Sequence, residues 1–440
     1  MDFNSKEARA KRLEWFQYDR FGMFIHWGLY AIPARGEWVR YYEGIDDEHY
    51  EPYFHEFNPI HYDPRQWARI AKAAGMKYAV LTAKHHDGFC LFDSKYTDFK
   101  STNTPCGKDL VREFLDAFRA EGLKVGLYYS LLDWHHPDYP DFDGIIHTKE
   151  WRAAHPRTGF DTYLTYMHNQ IEELLTGYGK LDIMWFDYSY GEMRGEKWGA
   201  SKIVEMVRKY QPDLLMDDRL EGAGGSVGSI ATADPLPYSG DFMCPECLVP
   251  FECPRNETGE PIPWESGMTL NDHWGYASAD NNYKTACDVV RDLSDCVSKN
   301  GNFILNVGPD ALGRIPAQAA RILGEVGEWL QINGDSIYGC CMAENMQYHD
   351  FGRYTKKGNK LYLHLYEKTN RPVRLAGILD RIERIRLLRD GSEVALLDPN
   401  SFHGPIYKQF PGDAFFFFGG RSEELPDPWD TVFEITLKAD

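Results

Sequence analysis

The chain has 440 residues, 43% apolar and 26% charged, the balance of a folded globular protein and too long for one ordinary core, so two domains are expected. With 67 acidic against 48 basic side chains the formal net charge is −19, which repels phosphate backbones and anionic lipid and argues against nucleic acid or a membrane as partner. Aromatic residues make up 15%, including 12 Trp and 27 Tyr, flat faces that suit core packing and ligands with C–H surfaces such as sugars.

The opening stretch MDFNSKEARAKRLEWF has no apolar segment after a basic start, so it does not read as a secretory leader, and no uncharged run is long enough to span a bilayer. The nine cysteines are odd in number and scattered, which is not a disulfide framework. The expected location is cytoplasmic, although a processed chain lacking its leader would read the same. Nothing in the sequence fixes the oligomeric state, and a homo-oligomer stays open.

Short apolar runs alternate with helical patterns over the first three quarters of the chain. FGMFIHWG (21–28) reads as a strand and YDPRQWARIAKAAG (62–75) as a helix closed by Gly75. KYAVLTA (77–83) is a second strand, DLVREFLDAFRAEG (109–122) a helix ending at Gly122, and KVGLYYSL (124–131) a third strand. TYLTYMHNQIEELLTGYG (162–179) is a helix leading into LDIMWFD, the fourth strand. KWGASKIVEMVRKYQP (197–212) is helical and DLLMDDR (213–219) a strand. After a long irregular stretch, KTACDVVRDLSDCVSKNG (284–301) is a helix, NFILNVGP (302–309) a strand and AQAARILGEVGEWLQING (317–334) a helix. Strand–helix alternation with near-continuous apolar strands predicts a parallel sheet covered by helices. No GxGxxG follows the first strand, which counts against a dinucleotide fold, so the expectation is α/β, a (β/α)8-like, TIM-type barrel over residues 1–340.

Beyond about residue 340 the texture changes. KKGNKLYLHLY (356–366), RIERIRLLRDG (381–391), SEVALLD (392–398), DAFFFFGG (413–420) and DTVFEITL (430–437) read as short strands between Gly, Asp and Pro turns, an antiparallel β-sandwich over 341–440. With no low-complexity linker between them, the two units should pack directly.

Barrel enzymes carry their chemistry at the C-terminal ends of the strands. On this register His26, His85, His86, Asp87, Ser130, Asp133, Asp187 and Arg219 stand at such ends. One polar strand end is more often a cap or turn former, but ends of five strands converging on one mouth point to a functional constellation. There is no GxSxG elbow and no Gly-rich phosphate loop. Two carboxylates in an aromatic, hydroxyl-binding pocket are what glycoside hydrolysis needs, one attacking or activating water and the other protonating the leaving oxygen.

FGMFIHWG, the EWV at 37–39, YAVLTAKHHDGF (78–89), GLYYSLLDW (126–134), MWFD (184–187) and NFILNVGPDALGRIP (302–316) together resemble the α-L-fucosidases of glycoside hydrolase family 29, in the family's order from about residue 10 to 345. The resemblance implies a retaining double displacement on α-L-fucosides, with Asp187 as nucleophile. GDFMCPE (240–246) resembles the family's acid/base segment and implies Glu246 as acid/base, with Glu37, Glu252 and Glu265 as rivals and Glu37 first among them. It also implies that His26, Glu37, Trp38, His85 and His86 bind sugar hydroxyls, that Trp185 shapes the pocket, that Arg219 lies near the sugar and the acid/base, and that Trp274 faces the C5 methyl. Tyr128 matches the family's tyrosine; its neighbour Tyr129 would face the other way on a strand. No metal or other cofactor is implied, and the substrate would be a fucosylated oligosaccharide or glycoconjugate.

The paired histidines beside Asp87 could instead hold zinc, but adjacent residues diverge too much to converge easily on one ion. CPEC (244–247), with Cys253 beyond it, departs from the family pattern. With a single CxxC and no further ligands evident nearby, Cys244, Cys247 and Cys253 read as free or structural thiols. The NET at 256–258 matches a glycosylation sequon by pattern alone. Two other readings are a barrel that binds carbohydrate without hydrolysing it and a glycosidase for another sugar. The linkage hydrolysed depends on the loops around 190–195 and 222–262, which no motif reads.

Overall fold

The computed structural model describes residues 5–140, 144–222, 227–346, 350–369, 371–398, 410–418 and 424–438. Seven strands, β1 (Phe21–Ile25), β2 (Tyr78–Lys84), β3 (Lys124–Ser130), β4 (Ile183–Asp187), β5 (Leu215–Met216), β6 (Trp264–Thr269) and β7 (Gly301–Val307), form one sheet in the order β5-β4-β3-β2-β1-β7-β6. Every neighbouring pair is parallel. Helix α1 (Lys6–Asp19) precedes the sheet, and α2 (Val39–Tyr42), α3 (Asp47–Glu56) and α4 (Pro64–Ala73) lie between β1 and β2. They are followed by α5 (Leu110–Ala120), α6 (Lys149–Ala154), α7 (Phe160–Gly177), α8 (Ala200–Tyr210), α9 (Ala286–Ser298) and α10 (Ala317–Asn333).

Local chemistry fixes the predicted helices. Asp63 caps α4 by accepting from the Arg65 and Gln66 amides, Pro64 occupies its first turn, and Trp67, Ala68 and Ala71 form its buried face. Asp109 does the same for α5 through the Arg112 amide, with Val111, Phe114, Leu115 and Phe118 facing inward. Gly75 and Gly122 close these helices at φ +85° and +79°, a backbone region that disfavours a Cβ.

The inner face of the sheet carries Phe24, Tyr78, Val80, Tyr128, Ile183, Trp185, Leu215 and Ile304, packed with Leu13 and Phe16 of α1. The outer face meets the helices in a second, larger core. The stretch 241–247, between β5 and β6 in the chain, runs alongside both. The Asp241 amide donates to Met216 O (2.7 Å), and Met243 exchanges bonds with Pro263 O and the Glu265 amide (2.9 Å each). Parallel bridges pair Asp217 with Phe242, Met243 with Trp264 and Glu246 with Gly267. At its start Asp241 holds Arg12 of α1 at 2.7 Å and Arg208 of α8 at 2.9 Å.

Three departures from the sequence reading share one cause. Strand β6 lies within the stretch read as irregular, α1 was not read as an element, and DLLMDDR contributes only Leu215–Met216 to the sheet. Each carries buried polar groups that break the apolar run: Glu265 in β6, Arg12 in α1, Asp217 beyond β5. Glu265 lies fully buried inside the sheet, accepting from the Tyr78 hydroxyl and from Trp185 Nε1 (3.3 Å).

The last quarter holds β8 (Cys341–Met342), β9 (Gly352–Lys357), β10 (Lys360–Leu365), β11 (Val373–Leu375), β12 (Ile382–Leu387), β13 (Ala414–Phe416) and β14 (Thr431–Leu437). An antiparallel sheet in the order β12-β14-β10-β9-β8 and the β11-β13 pair enclose a shared core of Leu363, Leu375, Phe416, Phe433 and Ile435. SEVALLD forms no strand; among the described residues it is held by the bridge between Arg386 and Glu393 and by single backbone bonds such as that from the Leu397 amide to Phe415 O (2.7 Å). Of DAFFFFGG, Ala414–Phe416 is β13, and residues 419 and 420 lie outside the described residues. These sheets pack directly on α9 and α10. Arg291 donates to Trp429 O (2.9 Å) and Tyr366 O (2.7 Å), and Trp329 Nε1 to Asp430 O (3.0 Å).

Burial pushes the Glu265 carboxyl up to about 7. The folded state therefore keeps a proton on it that the unfolded chain releases near pH 4.5. Its contribution is full below about pH 4.5 and is lost as pH rises through 7, a swing on the order of 3 kcal/mol. Denaturant unfolding from pH 4.5 to 8 should show this falling component in the wild type. Glu265→Gln should remove it, and an unchanged slope would contradict the assignment.

Candidate active site

At the C-terminal edge of the sheet a pocket opens, lined by Phe24, His26, Glu37, Trp38, His85, His86, Tyr128, Trp185, Asp187, Pro245, Glu246, Gly267 and Trp274. About 400 Å³ free of protein atoms lies in and above it, part of that open to solvent. Of the residues that the family resemblance assigns to the site, all line it except Arg219, which sits behind the wall and bonds to two residues that do; of the other strand-end residues, Asp87, Ser130 and Asp133 do not line it.

The Arg219 guanidinium, 4% exposed, spans the two carboxylates. Nη1 donates to Asp187 Oδ1 at 3.3 Å, and Nη2 to Glu246 Oε2 at 3.2 Å and Cys244 O at 3.0 Å. Burial opposes the charge on Arg219, but Asp187 and Glu246 outweigh it and hold the guanidinium protonated beyond its usual range. The other Asp187 oxygen accepts from the Tyr128 hydroxyl at 2.7 Å. Burial and the Asp187 charge push the Tyr128 phenol well up, so it stays a donor. The two carboxylates differ in exposure: the Asp187 side chain is 18% exposed in the pocket and that of Glu246 is 43% exposed at its rim.

Around Asp187 the histidines are neutral, and their tautomers follow from their partners. Burial drives His26 and His86 down to about 3. Ser130 Oγ donates to Leu132 O at 2.6 Å and so must accept from His86 Nδ1 at 2.7 Å. That leaves His86 Nε2, 4.0 Å from Asp187 Oδ2, as a bare acceptor. Asn306 is oriented by its Nδ2 bond to Trp274 O (2.7 Å), so its Oδ1 accepts a hydrogen bond from His26 Nδ1–H (2.7 Å), which leaves Nε2 of His26 as an acceptor too. Two nitrogen acceptors in an aromatic pocket suit hydroxyl donors. His85 packs between the rings of Tyr30 (5.2 Å) and Tyr128 (5.6 Å). The Glu37 carboxyl accepts from the Gly275 amide at 2.8 Å, and burial raises its pKa.

Adjacent histidines both reach the pocket, with ring centroids 4.1 Å apart, because the chain leaves strand geometry at Lys84. Lys84 itself is fully buried against Asp133 at 2.9 Å. Asp133 also accepts from the His135 and His136 amides, and Asp87 accepts from Tyr50 and the Phe89 amide. These two strand-end aspartates therefore brace loops, which corrects the expectation that they face the mouth. Tyr129 points outward to Gln170, leaving Tyr128 as the pocket tyrosine. Of the rival carboxylates, Glu252 is exposed away from the pocket wall and Glu265 lies beneath Trp185. All nine cysteines are free thiols, and the described residues hold no group of three potential metal ligands.

Phe24, Pro245, Gly267, Asn306 and Tyr188 also shape the pocket but were not singled out in the sequence. Phe24 and Asn306 sit inside the quoted runs FGMFIHWG and NFILNVGPDALGRIP without standing out in them, and Gly267 carries no motif. Gly267 lets the Trp274 ring approach to 3.3 Å of where a Cβ would stand. Tyr188, directly after Asp187, adopts φ +79°, a strained setting for a non-glycine residue, and packs on His86 (5.0 Å) and Trp38 (5.5 Å).

Paired carboxylates, neutral hydroxyl acceptors and indole walls at this edge of a parallel sheet define a glycoside hydrolase. The profile of the α-L-fucosidase family matches residues 2–335. Human plasma α-L-fucosidase is 30% identical over 352 residues, 74% of this chain and 68% of that protein. Mouse tissue α-L-fucosidase is 30% identical over 364 residues, covering 77% and 73%. The structure of α-L-fucosidase isoenzyme 1 from Paenibacillus thiaminolyticus superposes with a TM-score of 0.91 at 53% identity, over 98% of this chain and 100% of that one. A GH29 α-L-fucosidase from Bacteroides thetaiotaomicron, trapped as a covalent intermediate with 2-fluoro-fucosyl fluoride, gives 0.81 at 26% identity over 98% and 96%. The chain belongs to the α-L-fucosidase family, glycoside hydrolase family 29.

Because burial holds His26 and His86 near 3, both imidazoles should stay neutral and single-tautomer from pH 8 to 5 in nitrogen-15 NMR. Ser130→Ala should convert His86 to a mixture of tautomers, and a His86 titration midpoint above about 5 would contradict the arrangement.

Proposed function

We propose that the protein is a retaining exo-α-L-fucosidase that releases terminal α-linked L-fucose from oligosaccharides or glycoconjugates, with Asp187 as nucleophile and Glu246 as acid/base. The observation that carries this is the bridging of both carboxylates by the single guanidinium of Arg219. The shared fork keeps both carboxylates on one charge at one pocket, as a nucleophile and an acid/base acting on the same glycosidic bond require. The covalent intermediate trapped in the Bacteroides relative supports the same course.

Asp187 attacks the anomeric carbon, its second oxygen steadied by Tyr128, while Glu246 at the rim gives its proton to the departing oxygen. Once Asp187 is an ester it carries no charge, and Arg219 then faces the Glu246 carboxylate alone. In that state Glu246 takes a proton from water, which attacks the fucosyl ester and regenerates Asp187 with retained configuration. His26 Nε2 and His86 Nε2 accept from ring hydroxyls, Glu37 and His85 add polar contacts, and Trp38 closes the outer wall. Trp274 and Phe24 present the apolar side against the C5 methyl.

We also infer that residues 1–340 form the catalytic unit and that 241–247 completes its sheet as an eighth, irregular strand, giving a (β/α)8-like ring. Residues 341–440 are then a β-sandwich domain packed on it. A sugar-binding protein without chemistry is the weaker reading, because the pocket presents two carboxylates that a binding site would not need.

Asp187→Gly should lose nearly all hydrolysis of an aryl α-L-fucoside and, with azide, form the β-fucosyl azide. Formation of the α-azide, or full activity, would move the nucleophile elsewhere. Glu246→Ala should slow natural fucosides by ~10²–10⁴-fold and aryl fucosides with good leaving groups much less. Equal losses on both substrate types would shift the acid to Glu37.

A further inference from the structure

On the fucosidase reading the terminal fucose occupies this small pocket, with Glu246 at its rim, so the sugar that fucose is attached to lies outside it. Immediately outside its Trp38 wall stands Tyr42, at the end of α2. Trp38 and Tyr42 are separated by four residues, the spacing that brings side chains together on a helix. Their rings lie 5.7 Å apart at 29°, stacked, so that Tyr42 extends the wall of the pocket outward. Tyr41 secures this pair from within, meeting Trp38 edge-on at 5.5 Å and stacking on Trp134 at 20°. Trp134 in turn packs on both Trp38 (5.2 Å) and His86 (5.6 Å). The platform is thus continuous with the ring contacts that shape the pocket.

Tyr42 is 77% exposed. Among the described residues its ring meets only those of Trp38 and Tyr41, and its hydroxyl has no partner. A large ring held in water with so few contacts contributes little to the fold, yet its orientation is fixed by the stack beneath it. A flat, preorientated phenol with a free hydroxyl suits a pyranose, whose C–H face can lie on the ring while a hydroxyl bonds to the rim. Phe251 is more exposed still, at 91%, but among the described residues it makes no ring contact with the pocket wall. The chain as a whole carries a formal net charge of −19, which favours a neutral ring over an anionic one.

We propose that Tyr42 is a specificity-determining residue that stacks on the neutral sugar carrying the scissile oxygen, and so selects for glycan over small leaving groups. This rests on the fucosidase reading above. Binding energy gained there from a ring remote from the reacting bond can be used to seat the glycosidic oxygen at Glu246.

The test compares two substrates of wild type, Tyr42→Ala and Tyr42→Phe. One is an α-L-fucosyl-galactose disaccharide, which has a ring to stack, and the other is α-L-fucosyl fluoride, which has none. The ratio of kcat/KM for the disaccharide to that for the fluoride should fall about ten-fold in Tyr42→Ala, equivalent to about 1.4 kcal/mol. Tyr42→Phe should restore most of that ratio, since it keeps the ring. A ratio unchanged in Tyr42→Ala would overturn the proposal, whether both rates hold or both fall together, the latter marking a purely structural support of Trp38. A wild type that hydrolyses neither substrate would overturn the fucosidase reading itself, and the proposal with it.

Discussion

The site depends on one buried cation. Arg219 has little solvent to stabilise its charge, and what it has instead is Asp187, Glu246 and the carbonyl of Cys244. A guanidinium suits this task because its nitrogens diverge in a fixed plane, so two acids can be held apart yet on one charge. The carboxylates are equally dependent on it. Two anions facing one small apolar-walled pocket would repel each other strongly at low dielectric. The fork offsets that repulsion without bringing solvent into the pocket, and it ties β4 to the 241–247 stretch through their side chains.

The second constraint is that the pocket's imidazoles carry no charge. A protonated histidine beside Asp187 would pair with the carboxylate and compete with Arg219 and Tyr128 for it. Burial prevents this, and Ser130 and Asn306 decide which nitrogen keeps its proton. Both are themselves committed, Ser130 to Leu132 O and Asn306 to Trp274 O. Each tautomer is therefore set by a chain of two hydrogen bonds ending on backbone, whose role cannot change. The ligand-facing nitrogens are acceptors by construction, and the ligand that suits them brings hydroxyl donors.

How much of this was legible in the sequence follows the same physics. Runs such as YAVLTA and IMWF, buried on both faces, announce themselves as strands of a parallel sheet. The aspartate closing the second run stands where such a sheet puts its chemistry. Segments whose burial depends on distant partners did not announce themselves. Glu265 in β6 is acceptable in the core only because Tyr78 and Trp185 meet it there, and Arg12 in α1 only because Asp241 does. The strand-end rule also could not separate Asp187 from Asp87 and Asp133. All three end or follow strands, but the last two turn aside to Tyr50 and Lys84, contacts 37 and 49 residues away in the chain. Identifying which carboxylate faces the pocket needed the fold.

The stretch 241–247 shows why that separation is difficult in this architecture. It is short, interrupted by Pro245, and pairs with its neighbours through isolated bridges, so no strand pattern is readable in it. Yet it lies between β5 and β6, and it delivers Glu246 to the rim and the Cys244 carbonyl to Arg219. Its inner end is fixed by Asp241, which binds Arg12, Arg208 and the Met216 amide together. Its outer end is held through Arg219. A regular strand would bury its side chains alternately and pair along its whole length. An irregular one anchored at both ends can instead leave a single carboxyl part-exposed above an otherwise closed pocket. The same irregularity that hides the segment in the sequence lets it hold the Glu246 carboxyl at the rim, between the pocket and solvent.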